Sequence, residues 1–199
     1  MRKYLLLLLL LLSPLSWSKT LLILGDSLSA GYGLKTDQTW VKLLSERMAQ
    51  QAPGWQLVNA SISGETTGGA LRRLPAILQQ QHPDLVFIEL GGNDGLRGYP
   101  IANMQANLNA LVKQSQAAGA KVLMMEIWLP PNYGPRYLDA FKASFAKVAK
   151  AEGATLVPFF ARHIATEAGM IQADGIHPTA KAQPLLMEDI WATLQPLLK

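Results

Sequence analysis

The sequence contains no cysteine. This absence excludes disulfides, cysteine-ligated zinc fingers, iron–sulfur clusters and cysteine nucleophiles, as well as the cysteine-linked lipid anchor of bacterial lipoproteins. Charged residues are also scarce, at 16%, whereas hydrophobic residues make up 49% of the chain. That balance excludes an intrinsically disordered protein and allows a sizeable core, and 199 residues correspond to about one domain.

No apolar run is long enough to cross a membrane. The run Leu5–Leu12 falls short of the roughly 20 residues that a membrane-spanning helix needs. It follows Arg2 and Lys3 and precedes a segment with small residues that ends at Ser18, a pattern typical of a secretory signal peptide. We therefore expect residues 1–18 to be cleaved after secretion, with a buried N-terminal helix as the alternative.

The basic charge is modest and dispersed. The formal net charge of +4 falls to +2 when Arg2 and Lys3 leave with the signal peptide. The remaining Lys and Arg residues are scattered, and Arg72-Arg73 is the only adjacent pair. Such a distribution is typical of a solvated surface, so we expect no nucleic-acid partner.

Apolar strands alternate with amphipathic helices along the rest of the chain. This alternation predicts one α/β domain over residues 19–199, with a parallel sheet covered by helices on both faces. The predicted strands are Thr20–Leu24, Trp55–Asn59, Asp84–Leu90, Lys121–Ile127 and Thr155–Val157. The predicted helices are Thr39–Gln50, Ala70–Gln81, Ile101–Ala118, Pro135–Glu152 and Thr179–Leu198, with Pro184 in the first turns of the last. Ligands of such sheets bind beyond the carboxyl ends of the strands.

A serine cluster, Gly25–Ser29, directly follows the first predicted strand. A serine attacks a carbonyl group only when it is exposed, oriented and relieved of its proton. The turn after a strand provides exposure, and we expect Gly25 to let the backbone turn sharply there. Ser27 is therefore the candidate nucleophile. Ser29 is the competing candidate, and an ordinary Asp26–Ser27 helix cap is the non-catalytic alternative.

A second cluster, Asp174–Pro178, lies close to the end of the chain. A serine nucleophile needs a neutral imidazole as base and a carboxylate that fixes the tautomer of that imidazole. Asp174 and His177, three residues apart in one loop, can meet both requirements. His82 precedes a proline at a helix end, and His163 has no carboxylate at similar spacing, so we expect structural roles for both.

Two further polar clusters follow strands that point to the same edge, and they are Asn59–Thr66 and Gly91–Asp94. Acyl transfer places negative charge on the carbonyl oxygen, which requires fixed N–H donors. The backbone N–H of Gly64 and the side-chain amide of Asn93 could supply two of them, and the N–H of Ser27 a third. Asp94 has no second carboxylate or histidine at ligand spacing, so we expect no metal site.

Together these four clusters resemble the sequence blocks of the GDSL (SGNH) hydrolase family. The match covers nearly all of residues 19–199 and extends to the loop Leu129–Gly134. The resemblance implies a three-layer αβα, flavodoxin-like fold with a five-stranded parallel sheet. It also implies a catalytic triad of Ser27, His177 and Asp174, and an oxyanion hole formed by Ser27, Gly64 and Asn93, with no cofactor.

The resemblance further implies hydrolysis of carboxylic esters and thioesters of fatty acyl chains, including acyl-CoA, lysophospholipids and aryl esters. The residues expected to contact substrate are Asp26, Asp94, Leu129, Tyr133 and Ile176. We expect a monomer in the periplasm or outside the cell, acting on a small molecule, without a stable membrane anchor. The alternatives are a carbohydrate acetylesterase of the same fold, a binding protein with a decayed site, and a flavin-binding domain.

Overall fold

The computed structural model describes residues 18–160, 164 and 167–199. Five parallel strands form one sheet in the order β2-β1-β3-β4-β5. The strands are β1 (Lys19–Gly25), β2 (Trp55–Asn59), β3 (Leu85–Glu89), β4 (Lys121–Met125) and β5 (Thr155–Val157). All five predicted strands are therefore confirmed, with bounds that differ by two residues at most.

Seven α-helices connect or flank these strands in the described part of the chain. They are α1 (Ser27–Ala30), α2 (Trp40–Gln51), α3 (Thr67–Gln81), α4 (Gly92–Leu96), α5 (Ile101–Ala117), α6 (Pro135–Glu152) and α7 (Gln183–Leu194). Short 3-10 helices cover Thr36–Gln38, Pro131–Tyr133 and Gln195–Leu197. In these ranges we find no helix that is both long and apolar enough to cross a membrane.

The main differences from the sequence-based prediction are helix α4, which was not predicted, and the ends of two other helices. The last helix begins at Gln183 and not at Thr179, with Pro184 in its first turn, where a fixed φ and a missing N–H are tolerated. Helix α3 begins three residues earlier than predicted, because the Thr66 hydroxyl accepts a hydrogen bond from the N–H of Gly69 and caps the helix.

Helices cover both faces of the sheet, which is why the central strands are buried along almost their whole length. Every residue of β3 is buried, and so is every residue of β1 after Lys19. Helix α2 packs against α7, whereas α5 packs against both α3 and α6. The predicted three-layer αβα, flavodoxin-like architecture is confirmed, and the carboxyl ends of all five strands lie at one edge of the sheet.

Candidate active site

Ser27 is the first residue of α1, immediately beyond the end of β1. The Asp26 carboxylate caps this helix by accepting a hydrogen bond from the N–H of Leu28 at 3.1 Å. The helix is also held from outside, since the Trp40 indole donates to the Leu28 carbonyl and the Asn59 amide donates to the Ser29 carbonyl. These contacts fix the position of the Ser27 side chain, which is half-buried at the sheet edge.

Ser29 lies on the other side of the same short helix and is fully buried. Its hydroxyl donates to Oε2 of Glu89, at 2.8 Å, and that carboxyl group is also inaccessible to solvent. Gly25 makes room for this pair: a Cβ atom at that position would lie 2.7 Å from both the Glu89 carboxyl and the Ser29 hydroxyl. Glycine is therefore needed at position 25 because a side chain would not fit there, and not because the backbone has a positive φ.

The loop before α7 brings His177 and Asp174 to Ser27. The Ser27 Oγ atom lies 2.8 Å from Nε2 of His177, and Nδ1 of His177 lies 2.7 Å from Oδ2 of Asp174. The three side chains come from opposite ends of the chain, and the sheet edge joins them in one hydrogen-bonded row. In this geometry the imidazole can accept the serine proton while the carboxylate holds its tautomer.

Local hydrogen bonds hold Asp174 as a carboxylate. Burial acts to raise the pKa of this group, but the N–H groups of His177 and Ile176 and the His177 ring outweigh it and lower the pKa to about 2. The loop itself is closed by an antiparallel bridge between Ile171 and Pro178 and by the N–H of Gln172 donating to the His177 carbonyl. Asp174 is thus both an acceptor for the loop backbone and the partner of the imidazole.

Asn93, in the first turn of α4, reaches back to the serine loop. Its amide donates to Oδ2 of Asp26 at 3.1 Å, and the second oxygen of Asp26 lies 3.5 Å from the Ser27 hydroxyl. Asp26 is 3% exposed, and this burial raises its pKa to about 6, against the hydrogen bonds from Leu28 and Asn93 and the charge of His177. Asp26 therefore joins Ser27 to Asn93.

Gly64 also lines the cavity, and it has a left-handed conformation with φ of 78° that glycine adopts without strain. Its carbonyl accepts a hydrogen bond from the Arg97 guanidinium at 2.9 Å. Arg73 holds the rest of the loop by donating to the Ala60 carbonyl and the Glu65 carboxylate. The structure thus brings Ser27, Gly64 and Asn93 to the lining of the same cavity.

Of the predicted substrate contacts, the structure places Asp26, Leu129 and Ile176 on the cavity wall, but not Asp94 or Tyr133. Asp94 is buried and accepts hydrogen bonds from the Thr67 N–H and hydroxyl, which ties α4 to the start of α3. The Tyr133 hydroxyl donates to the Leu96 carbonyl at 2.9 Å.

Of the two histidines with expected structural roles, His82 does not line the cavity. His82 is the residue at the C-terminal end of α3, with φ of 42°, and His163 lies outside the described residues.

The sequence does not predict the position of Tyr32, whose ring centroid is 4.5 Å from that of His177 and which lines the cavity. Nothing in its local sequence marks Tyr32, because the contact joins loops that are far apart in the chain.

The cavity beside Ser27 has a volume of about 890 Å³ and is mostly apolar. Its size lies within the range of small-molecule sites in proteins. Side chains from the loops that follow all five strands contribute to it, and the apolar ones are Leu28, Leu96, Ile127, Trp128, Leu129, Pro130, Pro131, Phe159, Ile171 and Ile176.

Comparison with known proteins places this site in a family. Residues 23–184 match the GDSL-like lipase/acylhydrolase family. The chain is 53% identical to "Esterase TesA" of Pseudomonas aeruginosa, covering 96% of this chain and 94% of the relative. It is 45% identical to "Thioesterase 1/protease 1/lysophospholipase L1" of Escherichia coli, covering 90% and 85% of the two chains.

A solved structure gives the same result for the fold. The psychrotrophic esterase EstA from Pseudoalteromonas, inhibited by monoethylphosphonate, superposes with a TM-score of 0.87 at 51% identity and covers 90% of this chain and 98% of its own. The chain belongs to the GDSL-like lipase/acylhydrolase family.

Proposed function

We propose that this protein is a serine hydrolase of carboxylic esters and thioesters of fatty acyl chains. The observation that carries the proposal is the row of side chains in which Ser27 lies 2.8 Å from His177 and His177 lies 2.7 Å from Asp174. The names of the relatives, an esterase and a thioesterase/lysophospholipase, support the same reaction class.

In the first half of the reaction, Nε2 of His177 takes the proton of Ser27 while Oγ attacks the acyl carbon. Asp174 remains ionised, as its lowered pKa favours, and stabilises the imidazolium that forms. His177 then donates the proton to the leaving alcohol or thiol, and the acyl group stays on Ser27. In the second half, His177 removes a proton from water, which attacks the acyl carbon of the acyl-enzyme. The bond from Ser27 Oγ to the acyl carbon then breaks, His177 returns the proton to Oγ, and the fatty acid is released.

The carbonyl oxygen becomes an oxyanion during both attacks, and the donors for it are the N–H groups of Ser27 and Gly64 and the amide of Asn93. The Asn93 amide has two N–H bonds, of which one is directed at Asp26, so the other is available to substrate. Donors that are fixed before the reaction need no reorganisation as the charge develops.

The composition of the cavity favours a fatty acyl chain over a sugar. Apolar side chains such as Ile127, Leu129 and Phe159 make up most of its wall, whereas a sugar acetylesterase needs polar groups for the sugar hydroxyls. The acyl chain extends along this wall from the carbonyl group at Ser27. Carbohydrate acetyl esters are therefore the second candidate class of substrate.

The test is labelling by a fluorophosphonate, followed by assays on nitrophenyl esters and acyl-CoA. Ser27→Ala should abolish labelling and lower kcat by at least a thousandfold. Ser29→Ala is the matched control, because Ser29 lies two residues away but is fully buried against Glu89. A labelled Ser27→Ala protein, or one that retains a tenth of normal turnover, would assign the nucleophile to another residue.

The protein is secreted, and it acts as a monomer. Arg2, Lys3 and the run Leu5–Leu12 form the signal peptide, and the working enzyme begins at Lys19, the first residue of β1. The enzyme then acts in the periplasm or outside the cell.

A further inference from the structure

Large apolar side chains are exposed on the same edge of the molecule that carries the cavity. Seven large hydrophobic side chains are exposed in the part of the chain that the structure describes. Five of them follow the five strands, one after each strand, and we call this set the apolar rim. Its members are Tyr32, Ile62, Tyr99, Trp128 and Ile176.

Three members of the rim line the cavity, and the other two are close in sequence to lining residues. Tyr32, Trp128 and Ile176 belong to the cavity wall as well. Ile62 directly precedes Ser63 and Gly64, which line the cavity, and its N–H donates to the Gly25 carbonyl at the end of β1. Tyr99 directly precedes the proline before α5, and its carbonyl accepts a hydrogen bond from the Tyr137 hydroxyl.

These side chains are costly in water unless a partner covers them. Their exposed fractions are 53% for Tyr32, 47% for Ile62 and 45% for Tyr99. Single exposed apolar residues are ordinary, but a set concentrated around one opening marks an interaction site. Tyr and Trp, with an apolar ring and a polar tip, are also the residues enriched at the boundary between lipid and water.

The charge near the mouth favours an anionic lipid over a neutral one. Arg97 is exposed and donates to the carbonyl of Gly64, a cavity-wall residue. The carboxylates on the neighbouring loops already have partners. Glu65 is paired with Arg73 and Glu126 with Lys142, and Asp174 is bound to the His177 ring and to two N–H groups of its own loop. A surface with an apolar rim and an exposed guanidinium is complementary to a phospholipid headgroup layer.

We propose that the apolar rim docks reversibly on a phospholipid surface that contains anionic lipid. The mouth of the cavity then faces the lipid, and an acyl chain passes from the aggregate to Ser27 without crossing water. Docking goes beyond the proposed hydrolysis, since it requires no turnover. It also differs from a membrane anchor, because only a few side chains enter the interface.

The experiment measures vesicle binding with no catalysis. All proteins carry Ser27→Ala, are recovered after secretion and are shown by mass spectrometry to share one N terminus. Sedimentation with vesicles of phosphatidylcholine, alone or with phosphatidylglycerol, gives the partition coefficient. The rim variant replaces Ile62 and Tyr99 by serine, since neither side chain lines the cavity.

The matched control replaces Leu185 and Leu197 by serine. These are the other two exposed large apolar side chains of the described residues, in α7 and just after it. We expect the rim variant to bind phosphatidylglycerol vesicles about tenfold more weakly and the control variant to change by less than about twofold. Binding should also be stronger on anionic than on neutral vesicles and should weaken with salt.

Several outcomes would overturn the proposal. These are no binding to either vesicle, equal losses in the two variants, or an unchanged rim variant. Sedimentation velocity tests a second copy of the chain as the occupant, and a dimer that only the rim substitutions dissociate would replace the lipid surface. On the soluble short-chain nitrophenyl ester, proteins with Ser27 restored should keep the same kcat/KM, so a failure of docking is distinguishable from a failure of the proposed hydrolysis.

Discussion

Among single residues, Asn93 offers the sharpest separation between binding and catalysis. In the proposed mechanism Asn93→Ala removes a donor to the developing oxyanion. We therefore expect kcat to fall by about 10²–10³, equivalent to about 3–4 kcal/mol, with a smaller change in KM. The measurement is steady-state hydrolysis of a nitrophenyl ester.

Asn107→Ala is the control for Asn93, because its amide donates to the Thr67 hydroxyl and does not line the cavity. It should leave kcat within about twofold of the wild-type value. An Asn93→Ala enzyme with normal kcat would remove this side chain from the oxyanion hole.

Glu89 links pH to stability at the residue scale. Burial raises the pKa of its carboxyl group, and the nearby Asp26 carboxylate raises it further. Because the pKa of Glu89 is higher in the folded than in the unfolded chain, the folded state binds more protons. Protonation of Glu89 therefore stabilises the folded state fully at low pH, and this stabilisation is lost as the pH rises through the folded-state pKa. Glu89→Gln is neutral at every pH and lacks that loss.

Urea unfolding at pH 5 and pH 9 measures the effect of Glu89. The free energy of unfolding should decrease more between these pH values for the wild-type protein than for Glu89→Gln. Glu46→Gln is the control, since Glu46 is exposed and paired with Lys42, and it should follow the wild-type pH dependence. Parallel pH profiles for wild type and Glu89→Gln would show that Glu89 does not couple pH to folding.

At the scale of elements, the loop after β4 forms one wall of the cavity. Trp128 contacts the Phe159 ring and donates to Glu126, while Leu129 faces the cavity. Each buried methylene contributes up to about 0.8 kcal/mol. Leu129→Ala should therefore lower kcat/KM selectively on longer acyl chains, by up to about fourfold for each methylene that has lost its contact.

A series of nitrophenyl esters of increasing chain length tests the loop. Leu43→Ala is the matched control, because Leu43 is also partly buried but lies on α2, away from the cavity. It should leave the chain-length profile unchanged. An equal loss on every ester, or a lowered Tm in Leu129→Ala alone, would assign Leu129 to the core.

The elements themselves were largely predictable from periodicity. Strands such as Trp55–Asn59 and Thr155–Val157 match the predicted bounds, because Pro or Gly and helix ends surround short apolar runs. Helix α4 was missed, since GNDGL has neither an apolar stripe nor good helix formers, and the hydrogen bonds of Asp94 to Thr67 hold it. Contacts between residues this far apart in the chain produce no recognisable pattern in the sequence around α4.

The candidate site, too, contains residues that a local sequence pattern reveals and contacts that only the fold creates. Ser27, His177 and Asp174 could be chosen from the sequence because each stands in a short motif after a predicted strand or in one loop. The buried contact of Glu89 with Ser29 and the Tyr32 ring against His177 could not, because they depend on which strands become neighbours and how the loops fold over the edge.

At the scale of the whole molecule, the topology explains why distant motifs form one site. The order β2-β1-β3-β4-β5 places β1 and β3 side by side, so the loops with Ser27 and Asn93 are neighbours. The loop after β5, beyond the far edge strand, has to fold back toward β1 to bring His177 to Ser27. One edge of the sheet thus brings together Ser27, His177, Gly64, Asn93 and the apolar rim.

The N terminus gives the last prediction, which concerns export of the whole chain. Cleavage after Ser18 leaves β1 complete, because Lys19 donates to the Gly54 carbonyl and Thr20 is already buried in the sheet. N-terminal sequencing of the protein from the periplasm should therefore begin at Lys19. Leu8→Arg interrupts the apolar run and should leave an unprocessed precursor in the cytoplasm, whereas the control Leu8→Ile should be processed normally. If wild type and Leu8→Arg both retain residues 1–18, this segment is part of the folded protein and not a signal peptide.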